Sequence, residues 1–587
     1  MNYTWDLTKI IKDDSEYKDT LKEINDLLEK FLKYKGKLLK DENTFYDALE
    51  IQKKIDMLSE RIYVYSYLGH YEDMGNKKYQ EYKEKADAIY EKVESLTSFV
   101  NPELLESDYS LIEDYISKNN KLEIYRKSLE NLFRFKEHIL SEKEEKILSD
   151  ANEALKTARN AYDAIDNIDI KFDKIKNENN EEVELTQYNY GGFLSSKNRD
   201  VRKNAFESEY KYYREHINTI SALYIGKVKS ASFLSKTRHY KTILDSYLFD
   251  DKIDSKLYKN LIKITDNNLD KLKEYYKIKE KSLGYKLHMY DLYANTSVVP
   301  KKKIEYSEAI KMVNEALKPL GESYLKEFNN LLNTRCVDVF PKNKKRSGAY
   351  EWGTYGVSPY VSLNYDNNID SVSTLAHEMG HAMHTFYSYK TQDYLYASYP
   401  IFLAEIASTV NEVLLSNYLI ENADNKDEKI YHLVDFLDKF KATVYRQVMF
   451  AEFEYIIHNK YENGEVLTKD LLCDTYYELN KKHFAPVVEV DEDIQYEWAR
   501  IPHFYTPFYV YKYATGFISA LVIAERLVTE KDFKDKYIKF LSSGSSDYPL
   551  DLLNELGIDI TDEKVLNKAF ELFGEKVKLL EKIEKEG

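Results

Sequence analysis

Cysteine is nearly absent: the 587 residues hold only Cys336 and Cys473, far apart and neither in a CxxC pair. That excludes a disulfide framework and a thiolate zinc ribbon, and it suits a reducing compartment. Long apolar runs are missing too. The longest, FISALVIA at 517–524, is far too short to span a bilayer, and the opening MNYTWDLTKIIKDDSEY has no basic stretch followed by an apolar core. Neither secretion nor membrane insertion is expected, and a cytoplasmic location follows. An excess of positive charge is also lacking. Lysine and arginine number 85 against 101 acids, a net charge of -16, and no basic stripe offsets it, so nucleic acid is not an expected partner.

What is present is an ordinary globular composition, 43% apolar and 32% charged. A chain of this length outgrows a single core, so two or more lobes are expected. Tyrosine is abundant at 54 copies, but these spread through the chain beside many Lys, Asn and Ile, which points to biased codon usage rather than to binding.

Most of the chain carries helical periodicity. Leu21, Ile24, Leu28 and Phe31 recur at three- and four-residue steps between Lys and Glu, one buried stripe on a solvated helix. Similar stripes continue to about residue 165 and read as a packed bundle. Near 168 the pattern changes. Ile168, Ile170 and Phe172 alternate with polar residues, KNENNEE follows, and Val183 and Leu185 alternate again, which predicts a hairpin. Gly191 and Gly192 then interrupt the chain, so the expected boundary lies close to 190, with a helical domain over 1–190 and the main domain over 191–587. A Gly-, Pro- and Asn-rich patch over 340–369 reads as loop, strand, loop. The strand Ser358 to Asn364 is a candidate to pair with an extended peptide, or an ordinary edge.

Directly after it, DSVSTLAHEMGHAMHTFYS predicts a helix with Asp370 as N-cap and an apolar face from Val372 to Phe386. Within it, His377 and His381 are four apart, so both imidazoles project from one face and can grip a single zinc ion. Glu378, beside the first of them, can act as general base toward a water on that ion. A catalytic zinc needs three protein ligands and one open position. His384, seven residues past His377, lies roughly 10 Å along the axis and is too far. Position 387 is Tyr387, which excludes the third histidine of metzincins. A carboxylate from a second helix remains, and YPIFLAEIASTVNEVLLSNYL offers Glu405 among Phe402, Leu403, Ile406, Val410, Val413 and Leu414. An acid on so apolar a helix needs a charge to pair with. Glu412, seven residues on and near the same face, can orient a ligand histidine through its free ring N–H, or serve as a satisfied structural acid.

HEMGH followed by FLAEIAST resembles the M3 family of zinc metallopeptidases, and the arrangement is similar to its oligoendopeptidase F branch. The likeness extends from the amino-terminal helices through SGAYEWGTYGVSPYVSLNY to IPHFYTPFYVYKYATGF and SSGSSDYP. It implies a mostly helical, two-lobed zincin-type enzyme with a deep substrate channel, a small β element near the active site and one zinc per chain. Short peptides would be its substrates. On that resemblance His377, His381 and Glu405 are the ligands and Glu378 the base. A histidine and tyrosines of the late segment, His503 with Tyr513 preferred over Tyr505, Tyr509 and Tyr511, would stabilise the oxyanion. Tyr509 and Tyr513, four apart, are expected to share a helix face.

The expected protein is therefore a zinc endopeptidase acting on oligopeptides. Two alternatives use the same residues: a related zinc exopeptidase, either a dipeptidyl carboxypeptidase or a carboxypeptidase, and a helical peptide-binding protein that merely holds zinc.

Overall fold

The computed structural model of the protein describes residues 3–298, 300 and 302–586. Helices dominate, with only short strands between them. Among the described residues no helix is long and apolar enough to cross a membrane. The chain forms two compact units, each assembled from three stretches: 1–137 with 302–418 and 523–558, and 138–301 with 419–522 and 559–587. Compactness thus groups 138–190 with later segments.

In the first unit, Asp14–Phe31 is capped by Asp13, whose carboxylate accepts from the backbone N–H groups of Ser15 and Glu16. Its stripe buries Tyr17, Ile24, Leu28 and Phe31 against the helix Glu42–Glu72, which also packs on Lys77–Thr97. Beside these helices lies a three-stranded sheet. Tyr360–Ser362 is its centre, parallel to Val337–Asp338 on one side and antiparallel to Tyr350–Trp352 on the other. Trp5 Nε1 donates to Val361 O at 2.8 Å, tying the amino terminus to that central strand. The expected edge at Ser358 to Asn364 is thereby corrected. Both hydrogen-bonding sides of Tyr360–Ser362 are taken, so no peptide can add there. The helix Ile369–Thr391 follows and packs on this sheet and on the helices Tyr306–Ala316 and Phe533–Leu541.

The second unit is built around the 39-residue helix Arg199–Thr237, which packs on Glu142–Ala164 and on the segment Glu492–Arg500. Tyrosines supply much of its interior, among them Tyr210, Tyr213, Tyr224, Tyr258, Tyr275 and Tyr276, so packing absorbs many of the 54. The expected hairpin is present but shorter. Ile175 pairs with Val183 and Lys176 with Glu182. Ile168 to Phe172 is not a strand, because the preceding helix runs on through the π-helical turn Ile165–Asp169, where Ile168 is exposed.

Candidate metal centre and the tyrosine segment

The helix Ile369–Thr391 begins about two turns before its HEMGH motif. Its N-cap is Asn368, whose side chain accepts from Ser371 N, rather than Asp370, which lies inside the first turn. One turn apart, His377 and His381 direct their Nε2 atoms at each other, 3.2 Å apart. Glu405, on the helix Ile401–Glu421, brings Oε2 to 3.6 Å from each of those nitrogens. This is the metal-competent cluster found among the described residues. The triangle is a test of fit. With zinc bonds of about 2.0–2.2 Å to nitrogen and oxygen, a tetrahedral ion separates its ligand atoms by roughly 3.3–3.5 Å, close to the distances found. Two imidazoles and one carboxylate also match the donor chemistry of a catalytic zinc site.

Glycine makes that crossing possible. A Cβ at Gly380 would lie 2.6 Å from Ser408 Cα and 2.8 Å from Ala407 O, so the helices carrying the histidines and Glu405 approach more closely than any other residue allows. Asn411 Nδ2 donates to Ala376 O at 3.0 Å and joins the same two helices. Sequence reasoning passed over Gly380, although its place inside the motif was the available signal. The contact it permits is tertiary.

The surroundings are anionic. His377 Nδ1 lies 2.6 Å from Glu412 Oε1, which leaves Nε2 facing the cluster. Burial alone would lower the pKa of His377, but the hydrogen bond and charge of Glu412, with Glu378 and Glu405, raise it above the usual value. The His381 ring, its Nε2 3.6 Å from Oε2, holds the Glu405 carboxyl down at about 2, against the upward push of burial. Glu378 is buried, which raises its pKa, and the two histidines offset part of the rise. A raised carboxyl suits a group that must take a proton and return it. His384 is elsewhere. Its ring stacks on Tyr399 at 3.7 Å in the interior, and burial drives its pKa to about 3.

In the second unit, the late segment sorts its own aromatics. Tyr505 is buried and stacks on Tyr162 at 4.3 Å, and Tyr511 is buried 5.3 Å from the ring of Tyr258. His503, Tyr509 and Tyr513 are partly exposed and gather together. Tyr513 Oη lies 3.4 Å from His503 Nε2, and the Tyr509 ring is 5.5 Å from that of Tyr513. Tyr509 and Tyr513 do not share a helix face, because the helix starts only at Tyr511. A turn with Phe508 at φ +56° delivers Tyr509 instead. Burial, then the nearby Arg159, lowers the pKa of His503.

A mostly helical protein whose HEXXH helix is crossed by a second helix bearing a glutamate is a metallopeptidase by class. The comparisons agree. The model of peptidase family M3 matches residues 193–572, and that of oligopeptidase F matches 103–172. The chain is 38% identical to "Oligopeptidase PepF" of Bacillus subtilis, covering 99% of this chain and 87% of that protein. It is 36% identical to "Group B oligopeptidase PepB" of Streptococcus agalactiae, covering 100% and 98%. Among solved structures, one from Chlamydophila abortus superposes with a TM-score of 0.94 at 33% identity, covering 99% and 98%. Oligoendopeptidase-F from Enterococcus faecium superposes with 0.75 at 32%, covering 98% and 100%. The chain belongs to peptidase family M3, in its oligopeptidase F branch.

Proposed function

We propose that the protein is a zinc-dependent endopeptidase that hydrolyses short oligopeptides, with one zinc held by His377, His381 and Glu405. The observation that carries this reading is the convergence of two imidazoles and one carboxylate at edge lengths of 3.2 and 3.6 Å. Bound there, zinc supplies Lewis acidity toward a water and the scissile carbonyl. Glu378 takes the proton of the attacking water and passes it to the leaving amine. Glu412 keeps His377 in the orientation that presents Nε2. His503 and Tyr513, assigned through the family resemblance, donate hydrogen bonds to the developing oxyanion. An amino-terminal helical domain over 1–190 preceding a catalytic domain over 191–587 is part of the same reading. It is supported by the interval between the two family matches, 173–192.

The test is a digest of peptides of graded length, labelled at both ends, by the wild-type enzyme with and without a chelator and by Glu378→Gln. Internal cleavage of short peptides, abolished by chelation and by Glu378→Gln although that variant retains stoichiometric zinc, is the expected result. Turnover that survives either treatment overturns the mechanism, and first products released only from the carboxyl end overturn the endopeptidase assignment.

A further inference from the structure

We infer that Glu454 is a positioning residue which, together with His458, clamps residue 508 in a left-handed backbone conformation and so fixes how His503, Tyr509 and Tyr513 are presented. The inference rests on the reading that His503 and Tyr513 serve the oxyanion. All of its parts lie within the second unit.

Glu454 sits on the helix Arg446–Glu462 and is fully buried, 0% exposed. Its hydrogen bond is to the main chain: Phe508 N donates to Oε1 at 3.0 Å, while Oε2 has no partner. Among the described residues no cation pairs with it. Tyr224, Tyr247 and Tyr258 lie near it, and burial raises its pKa well above the usual carboxylate value. A leucine would fill such a place without the cost of burying a polar group. What the acid provides in exchange is one acceptor, aimed at the amide of the residue before Tyr509.

Phe508 needs holding. Its φ of +56° is disfavoured for a residue with a Cβ and a bulky ring. The ring is anchored 4.8 Å from that of His458, 5.6 Å from Tyr258 and 6.0 Å from Tyr247. His458 lies one turn after Glu454 on the same helix face and is itself buried, with neither ring nitrogen hydrogen-bonded to the protein. A strained residue, a buried acid and a buried histidine thus converge on one turn. Strain of this kind persists only where the surroundings over-determine it. The segment is pinned at its other end as well, where Arg159 Nη1 donates to Pro502 O at 2.7 Å. Between the pins, Phe504 and Tyr505 point into the core, which leaves His503 and Tyr509 displayed.

The experiment measures kcat, KM, bound zinc and thermal midpoint for Glu454→Leu, Glu454→Gln and Phe508→Gly, with His503→Ala and Tyr513→Phe as references. Glu454→Leu loses the acceptor and should lower kcat about tenfold to a hundredfold, with KM and zinc content close to wild type. Glu454→Gln keeps a neutral carbonyl oxygen for Phe508 N and should restore turnover. Phe508→Gly removes both the strain and the anchored ring, and should lower kcat as Glu454→Leu does. Should Glu454→Leu fail to fold, Phe508→Gly decides. Wild-type kcat in folded Glu454→Leu or in Phe508→Gly, with kcat lost in His503→Ala and Tyr513→Phe, overturns the clamp and leaves the donor reading standing. Wild-type kcat in both reference variants overturns the donor reading, and the clamp's purpose with it.

Discussion

Glu412 Oε1 lies 2.6 Å from Nδ1 of His377, and the same ring turns its Nε2 to within 3.2 Å of His381 Nε2. A carboxylate at that distance holds the tilt of the imidazole and so sets which nitrogen faces the cluster. Glu412→Gln should therefore weaken zinc binding by about tenfold to a hundredfold while leaving the three ligand atoms in place. Competition with a chelator of known affinity measures it. Unchanged affinity would make Glu412 a structural acid.

The donor set and the buried histidine nearby make opposite predictions. His377→Ala, His381→Ala and Glu405→Ala should each leave the dialysed protein short of metal, because each removes one corner of a single triangle. His384→Ala should retain full zinc and lose thermal stability, since it removes a buried ring stacked on Tyr399. Metal analysis beside thermal unfolding separates the two behaviours. Zinc lost from His384→Ala and kept by Glu405→Ala would refute the two-helix site.

Gly380 makes the position of Glu405 depend on one missing methyl. Alanine there would meet Ser408 Cα at 2.6 Å and force the two helices apart, at a cost of about 1–3 kcal/mol in overpacking. Glu405 is one turn from Ser408 and moves with it, so Gly380→Ala should lower both thermal midpoint and zinc affinity. Gly192→Ala is the control, because nothing lies within 4 Å of the Cβ it would add. Equal zinc affinity in the two variants would mean that the crossing tolerates the methyl.

The site's chemistry was legible in sequence wherever it depended on local periodicity. Two histidines four apart on an apolar-faced helix share a face whatever surrounds them, and Glu405 stood out as an acid flanked by Phe402, Leu403 and Ile406. Other features escaped because tertiary contacts decide them. Alternation at Ile168 to Phe172 mimicked a strand, yet the helix before it continued through a π turn. Tyr360–Ser362 became a central strand because Val337–Asp338 and Tyr350–Trp352 flank it, which no pattern within 358–364 reveals. Among the four tyrosines over 503–513 only the family resemblance favoured one, and burial then removed Tyr505 and Tyr511 from contention.

His503 and Tyr513 can be tested as a pair. Loss of a true oxyanion donor should reduce kcat about a hundredfold or more, roughly 3 kcal/mol, while KM and zinc content hold. Steady-state kinetics on His503→Ala and Tyr513→Phe give the answer. A change confined to KM would make them substrate-binding groups.

Acid should destabilise the fold through its buried histidines. Burial lowers the pKa of His458 to about 3 and that of His483 to about 4, whereas in the unfolded chain each returns to about 6.5. Between those limits the unfolded state binds more protons, so the stability these groups contribute is present above about pH 6.5 and is lost as pH falls. Each histidine adds a slope of up to about 1.4 kcal/mol per pH unit. Buried carboxyls work in the opposite sense. Burial raises Glu209 to about 7, despite the neighbouring Arg500, so the stability tied to its protonated form fades as pH rises from about 4.5 toward 7. A raw pH profile mixes both signs, but the difference between two proteins does not. His483→Leu should be less stable than wild type at pH 7.5, where it has lost a 2.9 Å contact from Nδ1 to Leu479 O. Its deficit in thermal midpoint should shrink steadily from pH 6.5 toward 4, because only the wild type then loses stability through that ring. A deficit constant across this range would show that His483 can be protonated without unfolding the protein.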